Sequence, residues 1–110
     1  MISQKIEIIK NALTSIPGLK VYHYWHPRLE APYCIWAEDG EGDSHHSNNK
    51  KSEQVITGTI DYFTLTEYDA MLDLIQEALN NAETVGWTLN SVQYEDETNL
   101  IHYEWSFEVA

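Results

Sequence analysis

Positive charge is what this sequence has least of. Six Lys and Arg stand against 18 Asp and Glu in 110 residues, a formal net charge of −12 with neutral histidine. Gripping a phosphate backbone takes clustered cations, so this balance excludes nucleic acid as a bound ligand. It does not exclude a duplex passing nearby, because an acidic wall repels phosphate. Cysteine is nearly absent. Cys34 has no second thiol to pair with, so no intrachain disulfide forms and nothing indicates an oxidising compartment. Its apolar neighbours make it a small buried hydrophobe rather than a catalytic thiol. No apolar run approaches the ~20 residues of a membrane-spanning helix. Lys5 and Glu7 interrupt the first apolar residues, so no secretory signal is expected and the chain is placed in the cytoplasm where it is made.

What is present fits one globular domain of 110 residues, with 43% hydrophobic and 12% aromatic residues. The stretch from Val55 to Leu79 organises the rest. Ile56, Gly58, Ile60 and Tyr62 share one face of a strand, with Val55, Thr57, Thr59, Asp61 and Phe63 on the other. The period then changes. Tyr68, Met71, Leu72, Ile75, Ala78 and Leu79 recur at helical spacing, with Thr66 placed to cap the helix and Asn80 and Asn81 to end it. Upstream, Ile6, Ile9, Leu13 and Ile16 form a narrow apolar stripe over a helix from Ser3 to Ile16, stopped by Pro17-Gly18. Leu19–Tyr24 and Tyr33–Glu38 are short strands, the second with Cys34 and Trp36 opposite Tyr33, Ile35 and Ala37.

A polar stretch from Asp39 to Glu53 follows, expected as a long loop or hairpin tip. The last part is a hairpin turned by Asp96–Asn99. In its second strand Ile101, Tyr103, Trp105, Phe107 and Val109 alternate with polar residues. In its first, Trp87 and Leu89 fall on one parity and Val92 and Tyr94 on the other, a change at Ser91-Val92 that predicts a bulge or a twist. The order α-β-β-β-α-β-β is that of an α+β domain, a mostly antiparallel sheet of about five strands with both helices on one face.

Reactive constellations are scarce. His23 and His26 have H-x-x-H spacing, but residues three apart in a strand point to opposite faces. His45-His46 beside Asp43 lacks a thiolate and a supporting shell, so no metal and no cofactor are expected. His102 falls on the polar face of the last strand and reads as a surface group. Paired carboxylates such as Asp39 and Glu41, or Glu104 and Glu108, follow from composition in so acidic a chain. There is no G-x-S-x-G, and the acids around Gly40 and Gly42 are the wrong sign for phosphate. The pattern predicts no catalytic residues and no enzyme.

Four Trp and seven Tyr exceed what two short helices cover on one sheet face, which leaves Trp36 and Trp87 partly exposed and ready for an interface. The polar stretch has an acidic half (Asp39, Glu41, Asp43) and a basic end (Lys50, Lys51), with His45 and His46 between. Such a stretch reads either as a disordered, solvated hairpin tip or as a segment that orders by laying complementary charge against a neighbouring copy. The expected interface set is therefore Trp36, Asp39, Glu41, Asp43, His45, His46, Lys50, Lys51 and Trp87. A small cytoplasmic module that binds a protein or ligand through an exposed aromatic face fits the same features.

The element order, Pro32-Tyr33 with Trp36, the Ile60–Thr64 strand end, and the hairpin from Tyr94-Glu95 through His102-Tyr103 and Trp105 together resemble a family. It is that of the small neck and tail-completion proteins of long-tailed bacteriophages and prophages, closest to the tail terminators. The resemblance implies a non-enzymatic virion protein that forms a ring, typically a hexamer, at the head-proximal end of the tail tube. Its partners would be copies of itself, the tail tube and head-connector proteins. DNA would pass through the lumen without specific binding and no membrane would be involved. Assembly would occur in the host cytoplasm and the product would reside in the virion.

Overall fold

The computed structural model describes residues 1–27, 30–42, 46–47, 50–51 and 54–110, with 46–47 and 50–51 described by backbone alone. Its elements are α1 (Ile2–Thr14), β1 (Val21–His23), β2 (Tyr33–Glu41), β3 (His46–Ser47), β4 (Lys50–Lys51), β5 (Ile56–Thr64), α2 (Ala70–Asn81), β6 (Val85–Glu95) and β7 (Leu100–Val109). Five strands form one sheet in the order β1-β2-β5-β7-β6, and β3 and β4 pair in a small ribbon of their own. β1 runs parallel to β2, while every other neighbour pair in the sheet is antiparallel. The expected α+β class and central β5 are found. The expected loop over 39–53 is corrected at its start, because β2 runs on to Glu41 across a bulge between Glu38 and Gly40.

Strict alternation builds the core. Ile60 and Tyr62 on β5, Cys34 and Trp36 on β2, and Trp105, Phe107 and Val109 on β7 all turn to one face. Ile9, Leu13 and Ile16 from the first helical segment and Ile75 and Leu79 from α2 cover that face. Gly58 lies at the tightest point. A Cβ there would stand 2.2 Å from the Ala37 carbonyl oxygen and 2.4 Å from Phe107 Cζ, so only glycine allows the strands and ring to close up.

Two side-chain bonds fix α2 against the hairpin. Trp105 Nε1 donates to Gln76 Oε1 at 3.0 Å, and Trp87 Nε1 donates to Asn80 Oδ1 at 2.8 Å. The start of α2 departs from expectation. Tyr68 has φ 56 and is almost wholly exposed, so the helix begins after it and Asp69, not Thr66, is the cap. Asp69 Oδ1 accepts from the Met71 N–H at 2.9 Å, while Oδ2 accepts from the Tyr62 and Thr64 hydroxyls, each at 2.7 Å. The cap thus serves β5 as well as the helix. In β6 the register shifts between Leu89 and Ser91, the bulge anticipated from the change of parity. Among the described residues, no helix is long and apolar enough to cross a membrane.

Candidate functional site

The helices cover one face of the sheet and, among the described residues, no helix lies on the other, the bare face. The ladder decides what that bare face presents. Tyr33 stands opposite Phe63, Phe63 opposite His102, and His102 opposite Gln93, so one row crosses four strands. Its rings stack in sequence. His26 lies 4.2 Å from Tyr33, Tyr33 4.9 Å from Phe63, and Phe63 4.3 Å from His102, centroid to centroid, with Tyr22 tilted 6.2 Å beyond His26. His26 belongs to this face only because the chain turns after β1. Tyr24 adopts φ 74, its N–H bonds the Trp36 carbonyl at 2.9 Å, and the Trp25 N–H bonds the His23 carbonyl at 3.0 Å.

Beside the rings the face is acidic. Asp61 and Glu104 are direct cross-strand partners, a like-charge arrangement that costs stability by itself. His102 relieves it from the diagonal position, with Nε2 2.7 Å from Asp61 Oδ1. Glu108 and Glu95 continue the carboxylates along β7 and β6, and Asp39 joins them by accepting from Thr57 Oγ1 at 2.9 Å. Burial, with the Glu95 charge second, pushes the Tyr33 hydroxyl up from its ordinary value. Thr57, Thr59, Thr88, Ser91 and Ser106 fill the spaces, and no strand position on this face holds Lys or Arg.

A second histidine–carboxylate pair lies on the helix-covered side, at the sheet edge. His23 is sandwiched between Tyr24 at 3.7 Å and Trp36 at 3.9 Å, and its Nε2 is 2.7 Å from Glu38 Oε1. The Tyr24 hydroxyl donates to the other Glu38 oxygen. Burial raises the Glu38 carboxyl, but the bonds from Tyr24 and His23 outweigh it and hold the group below the usual carboxylate range. His23 and His26 therefore face opposite sides of the sheet, His23 on Trp36 and His26 on Tyr33. Among the described residues, no three or more His, Cys, Asp and Glu converge as a metal site. Cys34 is buried, and burial pushes its thiol up to about 12, well away from a reactive thiolate.

The expected interface residues scatter. Trp36 is 2% exposed and packs in the core against His23 and Phe107, which corrects its placement at the surface. A strand position facing two helices is covered even when the chain is rich in tryptophan. Trp87 is half-buried on the helix-facing side of β6. Asp39 and Glu41 are exposed at the outer end of β2, where Glu38, Asp39, Gly40 and Glu41 line a cleft of about 430 Å³ with Ile2, Gln54 and Ile56. The backbone of His46 pairs with that of Lys51 in the ribbon. Asp43 and His45 lie outside the described residues.

The row of rings on the bare face was missed by sequence reasoning. The signal was present in the parity that set Tyr33 and Phe63 opposite the core residues, together with His102 on the polar side of β7. The sequence matches no protein-family model, and no curated protein matches it.

Proposed function

We propose that the chain is a structural, non-catalytic subunit of a phage or prophage virion. In this reading it acts at the neck as a tail terminator, ringing the head-proximal end of the tail tube and joining it to the head. The observation that carries the reading is the bare sheet face. Asp39, Asp61, Glu95, Glu104 and Glu108 spread over it, and none of the five strands of this sheet holds Lys or Arg. Lining a channel, such a face repels the phosphates of a passing duplex and lets DNA move without adhering. The His–carboxylate pairs support this reading because both are spent on structure. One ties β5 to β7, the other ties β1 to the end of β2, and each imidazole is held between or against aromatic rings.

In this reading the phage or prophage that encodes the chain also encodes a tail tube, and the test uses that tube. Purified protein mixed with isolated tubes is expected to seat as a closed ring at one tube end in negative-stain images, with native mass spectrometry giving the number of copies. Tubes whose ends stay bare, with a chain that closes into no ring at any concentration reached, overturn the reading and favour the small binding module.

A further inference from the structure

One edge of the sheet is the three-residue β1, and the other is the eleven-residue β6, whose only strand neighbour among the described residues is β7. Every second residue of β6 therefore aims its N–H and C=O away from the sheet. Natural edge strands guard against pairing with shortness, lysine, proline or a bulge. Of these β6 has only the bulge, between Leu89 and Ser91, and its one charged residue is Glu95, at the end. Leu89, Val92 and Tyr94 are 41%, 52% and 59% exposed. Their cross-strand partners Trp105, Tyr103 and Ile101 face the helices, so all three sit on the helix-covered side, along its uncovered margin.

We propose that β6 is the seam of a two-fold dimer, pairing antiparallel with β6 of a second copy about an axis between Asn90 and Ser91. The bulge makes the strand complementary to itself. Before it, Trp87 and Leu89 face the helix side; after it, Val92 and Tyr94 do. Rotation about that axis sets Leu89 opposite Val92 of the second copy and Trp87 opposite Tyr94, each pair occurring twice. On the bare side Thr88 meets Gln93 and Gly86 meets Glu95.

The hydrogen-bonding phase agrees as well. Trp87, Leu89, Val92 and Tyr94 oppose alternate residues of β7, so they share one phase toward β7 and one phase toward the outside. The register supplies about eight backbone hydrogen bonds, within the range of a standard interface. The charge opposes the register at its two ends. The two Glu95 carboxylates lie about 30 Å from each other, but each meets Gly86 of the second copy, over which that copy's Glu108 side chain lies, a like-charge contact that salt screens. Another protein's strand would need to reproduce this pattern of apolar pairs, which a second copy provides by symmetry. The inference does not rest on the ring reading.

Sedimentation velocity at up to about 200 µM protein is expected to show a dimer whose weight falls on dilution. Val92→Lys and Leu89→Lys change exposed side chains. Each is expected to leave the circular dichroism and melting temperature near the parent's while weakening the dimer on the order of thirtyfold, since it enters twice. Salt gives a sign test. The seam holds backbone and apolar pairs in an acidic protein, so about 0.5 M salt tightens it, whereas a contact made by opposite charges loosens.

Cross-linking reads the register. A mixture of Leu89→Cys and Val92→Cys protomers is expected to oxidise to a mixed disulfide, because facing residues at about 5 Å suit that bond. Either variant alone is expected to stay uncrosslinked, and the buried Cys34 contributes no background. A monomer throughout the concentration range overturns the proposal. So does a dimer indifferent to Val92→Lys, or a larger closed oligomer in which the mixed disulfide does not form; that last result leaves the ring reading standing.

Discussion

Asp69 concentrates more of the fold's bonding than any local reading of its neighbourhood suggests, and Asp69→Ala is the perturbation that measures it. The carboxylate caps α2 through the Met71 N–H and accepts from the hydroxyls of Tyr62 and Thr64, both 1% exposed. Loss of the cap costs about 1 kcal/mol. The two buried hydroxyls left without their acceptor cost about 1–3 kcal/mol each. Together these predict a loss of about 3–7 kcal/mol, or a melting temperature lower by roughly 15–30 °C in a domain of this size.

Two further variants separate the contributions. Asp69→Asn keeps a capping oxygen but turns a donor toward the hydroxyls, for a loss of about 1–2 kcal/mol. Tyr62→Phe in the Asp69→Ala background removes one stranded hydroxyl, so the double variant is expected to be more stable than additivity allows by about 1–2 kcal/mol. Acid adds a check with a definite sign. Burial raises the Asp69 carboxyl, but the bonds from Tyr62, Met71 and Thr64 outweigh it and leave the group below its ordinary value. A depressed folded value contributes stability that is present above the unfolded value, near pH 4, and is lost as pH falls through the folded one. The gap between the parent and Asp69→Asn therefore narrows below about pH 4. Urea unfolding at several pH values reads all of this. An Asp69→Ala loss under about 1 kcal/mol, or strict additivity with Tyr62→Phe, refutes the hub.

Gly58→Ala places a methyl against the Ala37 carbonyl and the Phe107 ring, and is expected to cost at least about 3 kcal/mol in chemical denaturation; a neutral result means the strands part with ease. Trp36→Glu buries a lone charge in the core and is expected to abolish the folded circular dichroism signal, while Trp87→Phe, which loses only the bond to Asn80, costs about 1 kcal/mol. Cys34 is expected to resist a thiol reagent in native buffer and to react at once in denaturant, and rapid native labelling would contradict its burial.

Period and parity carried most of the fold. Alternation on β5 and β7 assigned each core residue to its face, and the switch of parity read at Ser91-Val92 pointed to the bulge, which lies between Leu89 and Ser91. The helix start failed for a physical reason. Thr66 and Asp69 are both good caps by local chemistry, but Asp69 alone reaches Tyr62 and Thr64, which become neighbours only once β5 is in the sheet. The parallel pairing of β1 with β2 was equally silent, because three residues carry too little pattern to fix a direction. Trp36 shows the limit of counting aromatics. Totals say how much ring area must be placed, not which ring a helix will cover. The row on the bare face required register, since Tyr33, Phe63 and His102 are distant in sequence and meet only when β2, β5 and β7 align.

Charge then sorts the remaining surfaces by what they can meet. Two copies joined through β6 carry a formal charge of −24, and the seam sets each Glu95 near Glu108 of the other copy across Gly86. The two-fold axis stands perpendicular to the sheet, so both bare faces stay on the same side, roughly 48 Å across ten strands. Neither can bury against its twin without setting Asp61, Glu104 and Glu108 against themselves, a cost that buried like charges do not recover. A cationic surface or open solvent is left as the neighbour of that face. A ring that turns the face toward its lumen therefore has to close elsewhere. The surface suited to that is the β1 edge, where Tyr24 and Trp25 project at 59% and 69% exposure.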